Sequence, residues 1–520
     1  MTTPLGYAWI QAELNTPNFL GSQQARLGQV QSLQRLPEGA LLVPGRLAPT
    51  ANGLQQALFA IKHEGVRLDY LAAALRRVPE EEMRAAFLAT PNGTYVRKLC
   101  FLWEAVHQRH IAGLADPAVS AAYVPMFDPK AYVTGPSRRH SRWRVDFNGL
   151  GDLSFCPVIR RTPALESGLA LDVLAQATKF ANSISQQMLE RALSWAYLSE
   201  TEGSFAIEGE TPTHDKAALF ASLLQRAHDR RTITKDYLVE LQNATVTNPF
   251  DKAAQFRTEQ NRLQSSSLGA VGVTYVPPPP DLAWDLMEHL MVMINERPHD
   301  VDALVHAAAM SFAFVFIHPF MDGNGRLSRF LIHHCLGQSG ELPESFLLPI
   351  SVAMKRHEDQ YLQALTAFSK PARALCEVTW AGDDVYHYAW KPDADIWFRY
   401  MDVTEGAVFT LNMAKAALDI HLREEVSFLN LFDAVSRTIN ARHDLRGSDL
   451  ATLIVTAFQN GCKLSINRRQ RFADRVQPHV LDEIEACVLQ HMQDPSLRTP
   501  PHTPSLRTAP PTPSLRTPKG

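Results

Sequence analysis

The chain has 520 residues, of which 45% are apolar, 20% charged and 9% aromatic, the make-up of an ordinary globular protein long enough for about three domains. Lys plus Arg number 51 against 54 Asp plus Glu, and the net charge of -3 excludes a strong global field for nucleic acid or an anionic membrane. The longest apolar run, residues 307–317, covers 11 positions and contains Ser311. A membrane span needs roughly 20, so no membrane partner is expected.

In chain order, the opening lacks a basic stretch leading into an apolar run, so a secretory signal is not expected. The six cysteines (Cys100, Cys156, Cys335, Cys376, Cys462, Cys487) are scattered without a CxxC pair, which reads as reduced thiols of a cytoplasmic protein without a zinc site. Proline breaks near Pro163 and Pro371 divide the chain into 1–165, 166–370, 371–494 and a tail at 495–520.

The first part mixes helix-spaced Leu54, Leu58 and Ile61, then Leu68, Leu71 and Leu75, with turn-rich stretches, and reads as α+β. Its basic cluster Arg138, Arg139, His140, Arg142 and Arg144 surrounds Trp143, a composition that suits nucleic acid. Asp146 and Asp152 follow closely, so an ion-paired or solvated strand is the better reading and nucleic acid is not an expected partner.

Helical periodicity dominates after residue 165, with Leu282, Leu286, Met287, Leu290 and Ile294, then Leu304, Ala307, Ala308, Met310 and Phe314 near i, i+3, i+4, i+7 spacing. Between helices, residues 271–276 are β-rich and end at the prolines of 277–280, which predicts a short hairpin. The part from 371 to 494 reads as helices, with Leu429, Leu431, Phe432 and Val435 as a core stripe and Arg423, Glu424 and Glu425 toward solvent. Dimerisation through it is left open. From Pro495 the sequence Pro-Ser-Leu-Arg-Thr returns at Pro504 and Pro513, a repeat with nothing to bury that reads as disordered. The tail holds Arg498, Arg507, Arg516 and Lys519 and no acid, which leaves -7 on the rest of the chain.

The informative segment is residues 318–329, His-Pro-Phe-Met-Asp-Gly-Asn-Gly-Arg-Leu-Ser-Arg. An apolar helix runs into Ile317 and is stopped by Pro319, leaving His318 at a helix end facing a loop. Gly323, Asn324 and Gly325 allow a tight turn into the next helix, whose first N–H groups form an anion cradle. Arg326 and Arg329, three apart, can both reach a polyphosphate. Asp322 suits a Mg²⁺ held by one carboxylate plus substrate phosphates. His318 alone in the segment titrates near neutrality, as suits a general base acting on a hydroxyl.

The segment resembles the signature of the Fic (Fido) family, His-x-Phe-x-Asp/Glu-Gly-Asn-Gly-Arg-x-x-Arg, with every specified position present. The resemblance spans about 165–370 and implies a mainly α fold: a Fic-type helical bundle with a short β-hairpin flap, an α+β domain before it and a helical region after it. It implies a nucleotidyltransferase that moves AMP from ATP onto a protein Ser, Thr or Tyr hydroxyl, self-modification included. His318 is then the base, Asp322 the Mg²⁺ ligand, Gly323, Asn324 and Gly325 the phosphate cradle, and Arg326 and Arg329 the distal-phosphate clamps. The phosphotransferase branch carries Lys where Gly325 stands.

Upstream, Ser204-Phe-Ala-Ile-Glu208-Gly209 resembles the inhibitory motif of some members, implying that Glu208 pairs with Arg329 in the place of the γ-phosphate. Residues 257–280 resemble the flap that aligns a target by strand addition, with Val271, Gly272, Val273, Thr274 and Tyr275 as its strand. Arg262 and Leu263 replace a common Trp-Ile pair, and Tyr361 stands where aromatic residues often lie near the adenine. Other readings carried forward are removal of AMP or transfer of another phosphate-containing group by the same site, and a nucleotide-sensing protein whose flanking parts bind DNA or protein.

Overall fold

The computed structural model describes residues 3–493 apart from positions 38, 117, 230, 268 and 384. The repeat tail therefore lies outside the described residues. The fold is mainly helical, and its centre is the helix Ala303–Ile317, which is buried at every position except Val315. An all-round apolar helix carries no amphipathic stripe, so the run that was too short for a membrane is the core of the bundle.

With that central helix as α4 (Ala303–Ile317), the helices around it are α1 (Gln186–Ile207), α2 (Lys235–Thr245), α3 (Pro280–Asn295), α5 (Asn324–Ser339), α6 (Ile350–Arg356) and α7 (Glu358–Ala372). Sequence-local caps set several boundaries. Ser185 accepts from Met188 N–H to start α1, Thr234 from Tyr237 N–H to start α2, and Asp302 from Val305 N–H to start α4. Gly340, with φ 72°, closes α5 in the left-handed conformation that glycine adopts without a Cβ penalty.

Helix α1 is fastened to α5 and α6 by buried polar groups. The Glu200 carboxylate accepts from Ser351 N–H at 2.7 Å and from the Ser351 hydroxyl, and its Oε1 lies 2.7 Å from His333 Nε2. A Cβ at Gly203 would stand 3.0 Å from Val352 N, so α1 and α6 pack backbone to backbone there. Gly203→Val is accordingly expected to destabilise the protein by about 1–3 kcal/mol through overpacking, read as a lower denaturation midpoint.

The N-terminal part is α+β. A four-stranded sheet pairs residues 25–27 with 41–43 in parallel and completes itself with 4–5 and 34–35. A three-stranded sheet holds residues 124–125, 145–147 and 138–140. The basic cluster spans one strand of this second sheet and the turn after it; Arg138 and Arg139 stay exposed, whereas Arg142 and Trp143 are tied inward. Arg142 Nε lies 3.0 Å from Glu104 Oε1, Trp143 Nε1 donates to Glu104 Oε2 at 2.8 Å, and Arg139 and Arg144 lie over the Tyr123 ring.

One apolar core runs from Tyr7 to Val455, so the N-terminal part shares its interior with the bundle. Phe19 stacks on Trp397 at 4.9 Å, Arg76 pairs with Asp393 and Asp395, and Val158 N–H donates to Met401 O. A second core, Leu431 to Val488, belongs to the last helices. Val435 and Leu431 enter it as expected of a core stripe, whereas Glu425 is buried where solvent was expected.

Two strand expectations need correction. Val271 and Gly272 are not flap strand: residues 270–272 form a 3₁₀ turn after Gly269 at φ 74°, and Val271 is 93% exposed. The cause is local, because a Cβ at Gly272 would collide with Ser267 O as the chain doubles back. The flap itself is β1 (Leu263–Gln264) paired antiparallel with β2 (Val273–Tyr275). The region after 371 is also not purely helical. β3 (Cys376–Gly382) and β4 (Val385–Trp390) form an antiparallel hairpin that packs against the flap through Val273, Val276, Cys376 and Val378.

Candidate active site

The site is built where α4 ends and α5 begins. Residue 318 must reverse the chain ahead of a proline, which disfavours the helical region for it. His318 therefore takes φ 54°, ψ 60° as the C-cap of α4. The strained conformation is held from outside. Arg257 Nε donates to His318 O at 2.8 Å, Arg257 N–H to Pro319 O at 2.8 Å, and the Tyr275 hydroxyl to Phe316 O at 2.6 Å.

His318 is 7% exposed, and its Nδ1 lies 3.2 Å from Val315 O. That carbonyl accepts only from an Nδ1–H, so Nε2 is the nitrogen with the lone pair. Burial lowers the ring to about 4; Arg257 also lowers it, and the Val315 carbonyl, Glu208 and Asp322 oppose. At neutral pH the ring is uncharged and can accept a proton.

Asn324 shapes the following loop. Its Oδ1 accepts from Phe320 N–H at 3.0 Å and its Nδ2 donates to Phe320 O at 2.8 Å. The side chain assigned to the phosphate cradle therefore clips the loop, and what Asn324 offers an anion is its backbone N–H. Gly323 at φ 86° turns the chain into α5, whose first N–H groups have no intrahelical acceptor. Gln242 of α2, fully buried, donates to Asp322 O at 3.2 Å and supports the loop from behind.

Both signature arginines are buried and already engaged. Arg329 Nε donates to Ser204 Oγ at 2.9 Å, and its Nη2 donates to Ser204 O at 2.7 Å and to Glu208 Oε1 at 2.8 Å. Arg326 Nη1 donates to Glu210 Oε2 at 2.7 Å, and its Nη2 to Asp322 Oδ2 at 3.1 Å. Burial disfavours the charge on Glu208, but Arg329, Arg326 and His318 outweigh it and hold the carboxyl below the usual range. A Cβ at Gly325 would collide with Glu208 Oε1, so the carboxylate lies directly on the cradle and no longer side chain fits at 325 beside it.

Tyr361 stacks on Phe409 at 5.5 Å and lies against Arg329, with burial pushing its hydroxyl up. Asp322 is a half-exposed carboxylate that accepts from Gly323 N–H at 2.6 Å. No group of three or more His, Cys, Asp or Glu suited to a metal occurs among the described residues, so a Mg²⁺ here would rest on Asp322 and substrate phosphates, a donor set that suits the ion.

His318, Asp322, Gly323, Gly325, Arg326, Arg329, Ser204, Glu208 and Tyr361 thus gather at the turn from α4 into α5 as one candidate cleft, while in β2 of the flap Tyr275 is buried and bonds Phe316 O and Thr274 is exposed. Glu210, Gln242 and Arg257 were missed as site residues. Only position could have marked Glu210, two residues past Glu208; the other two carry no signal in the sequence.

Residues 232–336 match the model of the Fic/DOC family. The chain is 25% identical over 179 residues to protein adenylyltransferase fic-1 of Caenorhabditis elegans, covering 34% of this chain and 33% of that protein. It is 29% identical over 209 residues to protein adenylyltransferase Fic of Aedes aegypti, covering 35% and 39% respectively. The chain thus spans about a third of the length of these curated relatives. Among solved structures, a Fic family protein from Desulfovibrio desulfuricans G20 aligns with 61% of this chain and 92% of its own, at 18% identity and a TM-score of 0.39. Ser204, Glu208 and Tyr361 lie outside the matched residues, whereas the turn from α4 into α5 that carries 318–329 lies within them, and residues 232–336 form a Fic/DOC family domain.

Proposed function

We propose that the protein is an ATP-dependent protein adenylyltransferase, held nearly inactive by Glu208. The observation that carries this reading is a neutral His318, its Nδ1 tied to Val315 O, at the head of a helix-terminal anion cradle flanked by two buried arginines. In the reaction, the target hydroxyl oxygen attacks the α-phosphorus and its proton passes to His318 Nε2. The bond from the α-phosphorus to the bridging oxygen breaks, and pyrophosphate leaves with the electron pair, its charge met by Arg326, Arg329 and the first-turn N–H groups of α5. Asp322 would hold a Mg²⁺, whose chemistry is to neutralise phosphate charge.

Arg329 cannot serve the γ-phosphate while Glu208 occupies it, because two anions would compete for one guanidinium. The flap would align the target segment with β1 or β2, and residues of the protein itself are candidate targets. Six unpaired, buried cysteines support a reducing, cytoplasmic setting. The test is label position. Protein labelled from α-labelled but not γ-labelled ATP supports AMP transfer, and the reverse pattern means phosphoryl transfer.

A further inference from the structure

We propose that Glu210 is a second inhibitory carboxylate, withholding Arg326 from the nucleotide as Glu208 withholds Arg329. The inference rests on the reading of the cleft as a nucleotide site. The Arg326 side chain is 1% exposed, and each Nη atom faces a carboxylate. Nη1 donates to Glu210 Oε2 at 2.7 Å and to Thr245 O at 3.2 Å. Nη2 lies between the two oxygens of Asp322 at 3.2 and 3.1 Å. Nε is buried without a partner, and the Phe205 ring lies 5.2 Å from the guanidinium carbon. Both Nη groups are therefore occupied, and an incoming anion reaches them only if a carboxylate leaves.

Asp322 has an alternative role as an oxygen ligand when metal and phosphates arrive, and its departure leaves Glu210 as the remaining counter-charge on Arg326. Glu210 is held in that place. Thr247 Oγ1 donates to the same Oε2 at 3.0 Å, and Glu210 N–H donates to Phe205 O at 3.1 Å, folding the chain back onto the end of α1. Gly209, at φ 73°, is the intervening pivot, and a Cβ there would meet nothing within 4 Å. Glu208 and Glu210 thus ride one turn at the end of α1, one carboxylate on each signature arginine. Displacement of that turn frees both clamps together, whereas loss of Glu208 alone frees only Arg329.

The test compares the wild-type chain with Glu210→Gln, Glu208→Gly, the double variant and Thr247→Val, reading ATP affinity by calorimetry and self-modification in parallel. Glu210→Gln is expected to tighten ATP binding by about tenfold, the double variant to bind tighter than either single variant, and Thr247→Val to shift affinity the same way by less. Unchanged or weaker ATP binding in Glu210→Gln overturns the proposal. If Glu208→Gly is activated in that same experiment, the Glu208 gate stands without a second carboxylate. If Glu208→Gly changes neither affinity nor modification, the gate reading itself fails and this inference with it.

Discussion

Glu208→Gly is expected to raise self-modification by about ten- to a hundredfold, the worth of one charge-assisted pair removed from the place of a phosphate. Ser204 makes the gain specific. Its Oγ and backbone O keep their bonds to Arg329 Nε and Nη2 after the carboxylate is gone, so the guanidinium stays aimed at the cleft. Loss of Glu208 also clears the space over Gly325. The Glu208 carboxyl is held below its ordinary range, so the pair stays charged as pH falls through that range, and mild acid should not mimic the substitution. Equal labelling rates in the variant and the wild type would remove the inhibitory role.

His318→Ala, made in the Glu208→Gly background, is expected to reduce transfer by about 10²- to 10⁴-fold while leaving ATP affinity nearly unchanged. The ring acts on the hydroxyl proton, whereas phosphate affinity belongs to the arginines and the cradle. The pH dependence gives a sharper check. The ring is lowered from 6.5 to about 4 with Glu208 in place, and Glu208 is one of the groups that oppose the lowering, so in the parent variant the acid limb of kcat/KM should fall no higher than about pH 4, because a base works in its deprotonated form. A limb near 6.5 would mean that the working ring is solvated, and full activity of His318→Ala would exclude it as the base.

Much of the cleft was legible because its chemistry is local. Residues 318–329 turn from helix to loop to helix through one proline and two glycines, and the two arginines share the first turns of α5. Glu208 could be tied to Arg329 only through the resemblance, since 121 positions separate them. Glu210 and Gln242 escaped because their roles come from contacts across 116 and 80 positions. Arg257 looked like a flap residue, yet it braces the turn at His318 and Pro319.

The β3–β4 hairpin did carry a signal. Cys376, Val378 and Trp380 alternate with Glu377 and Thr379, a period of two set among segments with helical spacing. The proline at Pro163 reads as a domain break, but Thr162 accepts from Leu165 N–H and Pro163 opens a helix that joins the shared core through Leu165. A proline marks where an element starts without saying whether the core is interrupted. Glu425 illustrates the remaining gap, since burial of a charge depends on partners from elsewhere in the fold.

The most direct measurement is the intact mass of the Glu208→Gly variant after incubation with ATP and Mg²⁺, beside the same variant carrying His318→Ala. A gain of one or more AMP moieties in the first and none in the second is the expected result. A gain of phosphate alone, or the same AMP gain without His318, would contradict adenylyl transfer from this cleft.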